Sequence, residues 1–242
     1  MWQSKYFTFS RLIRAAHPFM TKCRLCGNKF FSIKEIICDI CFAKIIPFEN
    51  NGCRICGSPA INDNSIICGS CKDKKIYFTK AVSAAYYDET AREIIHLFKY
   101  NSHPSLSKKL APLLLQAVKN LPLPDIITYV PIHPKKLSQR EFNQSYLLAY
   151  HLSKLMNKKM AGVLTRIKDT AMQSNLRKDE RSENVKDAFR LNINSIKSLK
   201  DKTVLLIDDI YTTGNTINEC AKEIKKAQPH KIYCATLAKT ER

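Results

Sequence analysis

Val204-Leu205-Leu206-Ile207-Asp208-Asp209-Ile210-Tyr211-Thr212-Thr213-Gly214-Asn215-Thr216 decides the fold class of this 242-residue chain. The run Val204-Leu205-Leu206-Ile207 reads as a strand buried on both faces, and such strands belong to parallel sheets covered by helices. Two acids follow at once. The strand therefore delivers adjacent carboxylates to the carboxyl edge of the sheet, where open α/β folds bind ligands. The hydroxyl-rich turn 212–216, with Gly214 inside it, leads into a helix. Its apolar positions Ile217, Cys220, Ala221, Ile224 and Ala227 keep the spacing of a sheet-packed face. Free N–H groups, hydroxyl donors and the positive end of the helix dipole converge at this turn and make a phosphate cradle. Asp208 and Asp209 beside it suit ribose hydroxyls and Mg²⁺, a hard cation that takes oxygen ligands and phosphate. The chain has neither a glycine-rich run ending in Gly-Lys-Ser/Thr nor a Gly-x-Gly-x-x-Gly, which excludes a Walker loop and a dinucleotide fingerprint.

Upstream, the same alternation of strands and helices continues. Residues 81–86 read as a strand. A helix over 89–100 places apolar residues at 91, 94, 95 and 98, and another covers 106–118. Residues 126–130 form a short apolar run closed by Pro131. A helix over about 143–156 and a strand near 161–167 follow. The polar, charged stretch 168–186 reads as a long loop. Then come the strand 203–207, the helix 216–227 and a final strand over 231–238. The expectation is an α/β domain whose mainly parallel sheet is flanked by helices.

The N-terminal third has a different texture. Four C-x-x-C pairs, Cys23/Cys26, Cys38/Cys41, Cys53/Cys56 and Cys68/Cys71, recur with a period of 15 residues, and Gly27 and Gly57 follow the first and third. Zn²⁺ takes four thiolates in a tetrahedron, and C-x-x-C turns two of them toward one metal. Glycine suits the backbone of that knuckle. Eight cysteines make two closed sites, which are structural rather than catalytic. Pairing in sequence gives Cys23/Cys26/Cys38/Cys41 and Cys53/Cys56/Cys68/Cys71, with an interleaved pairing also open. Bound metal would supply most of the folding energy of so small a block. The expected organisation is a basic aromatic segment over 1–20, a double zinc-ribbon over 21–72, a charged linker over 73–79 and the α/β domain over 80–242.

Composition points to a partner. Forty Lys and Arg against 21 Asp and Glu leave a formal charge of +19. Such an excess favours polyanions, nucleic acid above all. Both halves share it, with 12 basic and 5 acidic residues over 1–79 and 28 and 16 over 80–242. No stretch approaches the apolar length of a membrane span, and no secretory leader is visible. The segment 1–20 could lie on a membrane surface, although such segments more often pack on their own domain. Aromatic side chains beside basic ones, among them Phe30, Phe31, Tyr77, Phe78 and Tyr100, could stack on unpaired bases.

Residues 204–216 resemble the phosphoribosyl pyrophosphate signature of type I phosphoribosyltransferases. The motifs Leu97-Phe98-Lys99-Tyr100, Val130-Pro131-Ile132-His133-Pro134-Lys135-Lys136, Arg140-Glu141-Phe142-Asn143-Gln144, and Arg181-Ser182-Glu183-Asn184-Val185 with Ala188-Phe189 resemble the ComF/ComFC competence family, as does the cysteine block. The likeness covers roughly residues 20–240, with Glu141 standing where that family is expected to have glycine. It implies a type I phosphoribosyltransferase-like sheet behind a double zinc-ribbon. Asp208 and Asp209 would grip the ribose hydroxyls, and Thr212, Thr213, Gly214, Asn215 and Thr216 would hold the 5′-phosphate, with Mg²⁺. Lys135, Lys136 and Arg140 fit a pyrophosphate loop or an ordinary basic turn. Arg177 and Lys178 lie where the fold carries a catalytic hood, or on a plain surface loop. The resemblance further implies a cytoplasmic protein of natural transformation. It would handle incoming single-stranded DNA beside the DNA-uptake machinery at the inner membrane. The alternatives are an active phosphoribosyltransferase on a nucleobase or small amine, and a pure binding module.

Overall fold

The computed structural model describes residues 19–59, 66–100, 103–169 and 185–240. The chain divides into two compact units, 1–44 and 45–242. In the first, β1 (Phe19–Lys22) and β2 (Lys29–Ser32) form an antiparallel hairpin, and α1 (Asp39–Phe42) is a single turn.

The second unit contains α2 (Gly69–Lys72) and a five-stranded, all-parallel sheet. Its strands are β3 (Lys80–Tyr86), β4 (Ile126–Tyr129), β5 (Lys159–Met160), β8 (Thr203–Tyr211) and β9 (Lys231–Lys239), in the order β3-β9-β8-β4-β5. From β4 the chain moves outward to β5, and from β8 it moves the opposite way to β9. The gap between β4 and β8 is therefore the switch point at which open α/β sheets bind ligands. Among the described residues this unit's longer helices are α3 (Glu89–Tyr100), α4 (Leu106–Val118), α5 (Pro134–Arg140), α6 (Gln144–Met156) and α8 (Asn215–Lys225), with the single turn α7 (Ile196–Leu199) before β8.

Local chemistry explains the elements that frame this gap. The Asp88 carboxylate caps α3 by accepting from Ala91 N at 2.7 Å, and Ala91, Ile94, Ile95 and Phe98 form its buried stripe. Phe98 is fully buried, and side chains of that size contribute roughly 1.5–3 kcal/mol on leaving water. Asn143 caps α6 through Tyr146 N and donates to the Val130 carbonyl at 3.0 Å, which fixes the helix start against the end of β4. In α8, Ile217, Cys220, Ala221 and Ile224 face inward.

The sheet departs from the sequence reading in two places. The expected strand near 161–167 is shorter and lies outside the sheet. β5 joins the sheet at 159–160, whereas β6 (Leu164–Arg166) pairs antiparallel with β7 (Phe189–Leu191) as a separate two-stranded ribbon. β8 also runs on through Asp208 and Asp209 to Tyr211, because β9 keeps pairing with it as far as Lys239. β4 pairs only to Ile207, so the two acids have a neighbouring strand on one side and an open crevice on the other. Residues 170–184, most of the expected loop and both of its basic candidates Arg177 and Lys178, lie outside the described residues.

Candidate functional site

A cavity of about 630 Å³ opens at the switch point. The end of β8 lines it with Asp208, Asp209 and Ile210, and the following loop adds Thr212 and Thr216. Val130, Pro131, Ile132, Lys136 and Arg140 come from the β4 side, and Gln144 and Ser145 from the start of α6. Arg92, Lys99, His96 and Tyr100 of α3, with Tyr87 and Arg166, also line it. Among the described residues, five cations (Arg92, Lys99, Lys136, Arg140, Arg166) thus face two carboxylates. The surplus suits a ligand more negative than one phosphate, especially where low dielectric strengthens each interaction.

The two acids are held differently. Asp208 is 8% exposed and its Oδ1 accepts from Ser145 Oγ and from Asp209 N, both at 2.9 Å. Burial, with the neighbouring Asp209 charge second, pushes its carboxyl up to about 7. Asp209 instead pairs with Lys99, Nζ to Oδ2 2.6 Å. Among the cations, burial lowers the affinity of Arg166 and Lys136 for their protons. Arg166 stacks on Phe189 at 5.3 Å, and Arg140 lies over Tyr100 at 5.0 Å with Nη2 donating to the phenol oxygen at 3.0 Å.

The structure brings Lys136 and Arg140 to the cavity, whereas Lys135 is largely exposed with Nζ 3.7 Å from Asp169. His133 caps α5, its Nδ1 accepting from Lys135 N at 3.3 Å. Glu141, at the position expected to be glycine, ends α5 with φ 64°, in the left-handed region. Gly214 has φ 76°, and a Cβ there would collide with the Tyr211 hydroxyl. Only glycine fits that turn. The 212–216 loop shows two faces. Thr212 and Thr216 line the switch-point cavity, while Thr213 and Gly214 line a second cavity of about 490 Å³, together with Thr212, Cys56, Cys68 and Cys71.

The cysteines gather in sequential fours. Cys23, Cys26, Cys38 and Cys41 form one group and Cys53, Cys56, Cys68 and Cys71 the other, each with its sulfurs within 4.8 Å of one another. Sulfurs at tetrahedral corners 2.3 Å from a zinc ion stand about 3.8 Å apart. The Cys26–Cys38 and Cys56–Cys68 separations are 3.9 and 3.6 Å. Both groups could therefore hold a metal. Gly27 and Gly57 take φ of 74° and 71°, as the knuckle requires. Cys53, Cys56 and Cys71 belong to the buried core of the 45–242 unit, which also contains Phe78, Tyr211 and Ile217, and Cys68 packs against it.

Sequence reasoning passed over Ser145, Arg166, Lys74 and Lys239. Arg166 and Lys239 carried a faint signal, each being a single cation at the end of an otherwise apolar strand pattern.

Residues 143–242 match the phosphoribosyl transferase domain family. That match and the parallel sheet define the class: a phosphoribosyltransferase-type α/β domain in a chain with two four-cysteine groups. Competence protein F of Haemophilus influenzae is 32% identical over 167 residues, spanning 66% of this chain and 72% of that protein. DNA utilization protein YhgH of Salmonella typhi is 33% identical over 164 residues, 64% of this chain and 70% of that protein. Its Escherichia coli counterpart is 31% identical over the same length. The chain belongs to the competence protein F family.

Proposed function

We propose that this protein binds a phosphoribosyl pyrophosphate-type ligand with Mg²⁺ at the switch point and handles single-stranded DNA during natural transformation. The observation that carries the reading is the pairing of two strand-end acids with five cations beside a helix N-terminus. In this reading Asp208 and Asp209 hold the ribose hydroxyls and the Mg²⁺ shell. Thr212 to Thr216 cradle the 5′-phosphate, and Lys136 and Arg140 neutralise the pyrophosphate with Lys135 at the rim. Tyr87, His96 and Tyr100 supply ring faces for a base or nucleoside. The metal at both four-cysteine groups is zinc, the usual occupant of closed four-thiolate sites built from paired C-x-x-C knuckles.

The DNA side rests on charge and aromatic placement. Residues 142–168 contain no acid and five cations, Lys154, Lys158, Lys159, Arg166 and Lys168. On α6, Tyr146 and Tyr150 are exposed with near-parallel rings 6.4 Å apart, and Lys154 Nζ lies 5.5 Å from the Tyr150 ring. Stacking rings beside cations fit unpaired bases and their phosphates. Among the described residues no helix is long and apolar enough to cross a membrane. The reading places the protein in the cytoplasm, working beside the uptake machinery at the inner membrane.

Anisotropy titration of labelled oligodeoxythymidine against duplex of equal length tests this reading, with binding of the single strand preferred. Equal or tighter binding of duplex would overturn it. Pyrophosphate release from phosphoribosyl pyrophosphate on adding nucleobases or small amines would instead make the chain an active transferase.

A further inference from the structure

The second four-cysteine group is tied to the 212–216 loop by two separate routes. In the first, Lys239, a lysine only 3% exposed at the end of β9, donates to the Cys56 carbonyl at 2.8 Å and sits 3.7 Å from the Tyr211 ring centroid. The Tyr211 hydroxyl in turn fills the space where any side chain at residue 214 would be. In the second, the chain leaves Cys71 and lays Lys74 on the loop. Its Nζ donates to the Thr213 carbonyl at 3.1 Å and to Asn215 Oδ1 at 2.8 Å. Asn218, in the first turn of α8, then accepts from Tyr77 N at 2.9 Å and donates to the Lys75 carbonyl at 2.8 Å. One route starts at each knuckle of the group, and both end on the loop or on the helix turn it caps.

From these contacts we propose that Lys239 and Lys74 are positioning residues that make the second four-thiolate metal site part of the anion-binding loop. Binding at the loop and metal retention at the cysteines are thereby coupled. The physical basis is the buried ammonium of Lys239. Its partners there include a carbonyl of the knuckle, the Tyr211 ring at the end of β8 and, at 5.8 Å, the Phe48 ring, and a buried cation is costly without such partners. If the Cys56 knuckle comes apart, Lys239 loses its acceptor and Tyr211 loses its cover. Loosening the second knuckle likewise withdraws Lys74 from Thr213 and Asn215. By linkage the effect runs both ways, so an anion that orders the loop also slows metal loss. The anion arm of this inference rests on the phosphate-loop reading above; the loop–metal contacts stand without it.

The test uses the full chain with both sites zinc-loaded. Amide hydrogen exchange over residues 212–218 is compared between the wild type and the double variant Lys74→Met/Lys239→Met, with elemental analysis to confirm retained zinc. The expected result is exchange at least tenfold faster in the variant, with Lys74→Arg/Lys239→Arg recovering most of the protection. Equal protection in the Met variant and the wild type would overturn the coupling. A second measurement, on the wild type alone, covers a variant that fails to fold. Zinc transfer to a chromophoric chelator should have one of its two phases slowed at least threefold by saturating Mg·phosphoribosyl pyrophosphate. Unchanged release, with ligand binding verified by calorimetry, would also overturn it. If the wild type does not bind that ligand, the ligand reading fails, and the exchange comparison still decides the coupling.

Discussion

Lys99 Nζ lies 2.6 Å from Asp209 Oδ2, so one of the two strand-end acids is paired with a cation of the protein itself. Both side chains are mostly buried, which makes the pair stronger than a surface ion pair. A divalent cation approaching Asp209 must compete with this lysine. Lys99→Met should therefore tighten binding of Mn²⁺ alone, by roughly three- to tenfold if about 1 kcal/mol of competition is removed. Electron paramagnetic resonance of free Mn²⁺ reads this directly, and weaker binding in the variant would refute the competition.

Asp208 gives the site a pH signature. Its folded-state carboxyl titrates near 7, against an ordinary 3.8. The folded state thus holds the proton more tightly than the unfolded chain, and the stability this adds is full below about pH 4. It is lost as pH rises through 7. Asp208→Asn keeps the acceptor for Ser145 and Asp209 N but cannot ionise, so it should be the more stable protein at pH 8, by about 5 °C in Tm. The gap should close near pH 4. Thermal unfolding at the two pH values checks both signs.

Two zinc ions per chain are expected from elemental analysis of protein purified without chelator or oxidant, each bound by thiolate alone. X-ray absorption should give Zn–S distances near 2.3 Å and no nitrogen shell. Metal content near zero, or a mixed ligand shell, would remove the zinc assignment.

The sequence made the architecture readable because both of its signals are local. Val204-Leu205-Leu206-Ile207 announces a strand covered on both faces, and the C-x-x-C spacing announces metal knuckles. Residues whose roles depend on distant partners stayed hidden. Lys239 has the sequence context of an ordinary strand-end lysine; only the fold brings it beside Cys56 and Tyr211. Arg166 likewise lines the site from β6, which pairs with β7 outside the main sheet. Glu141 shows the reverse: it stands where the family resemblance leads one to expect glycine, and the backbone there takes φ 64°, in the left-handed region, with glutamate in place. The stacking candidates separate by burial, Phe31 and Tyr100 being exposed and Phe78 buried. The Tyr146–Tyr150 pair went unnoticed, since an i, i+4 tyrosine pair reads equally well as core packing.

DNA affinity should fall steeply with salt, because release of counterions from the neutralised phosphates drives most of the binding. Tyr146→Ala/Tyr150→Ala should weaken oligodeoxythymidine binding by roughly 2 kcal/mol or more in total, with the salt slope unchanged, since stacking carries no counterions. Lys154→Ala should instead flatten the slope by about one unit. Anisotropy titrations at several salt concentrations separate the two effects, and a flat salt response in the wild type would reject the electrostatic part.

The central claim is that Asp208 and Asp209 anchor a Mg²⁺-dependent sugar-phosphate ligand at the switch point. Isothermal titration of the full chain with phosphoribosyl pyrophosphate tests it most directly, with and without Mg²⁺, in the wild type and in Asp208→Asn/Asp209→Asn. The expected result is wild-type binding that requires Mg²⁺ and a loss of at least a hundredfold in the double variant, whose circular dichroism stays native. Equal affinity in the two proteins, or wild-type binding indifferent to Mg²⁺, would contradict the assignment.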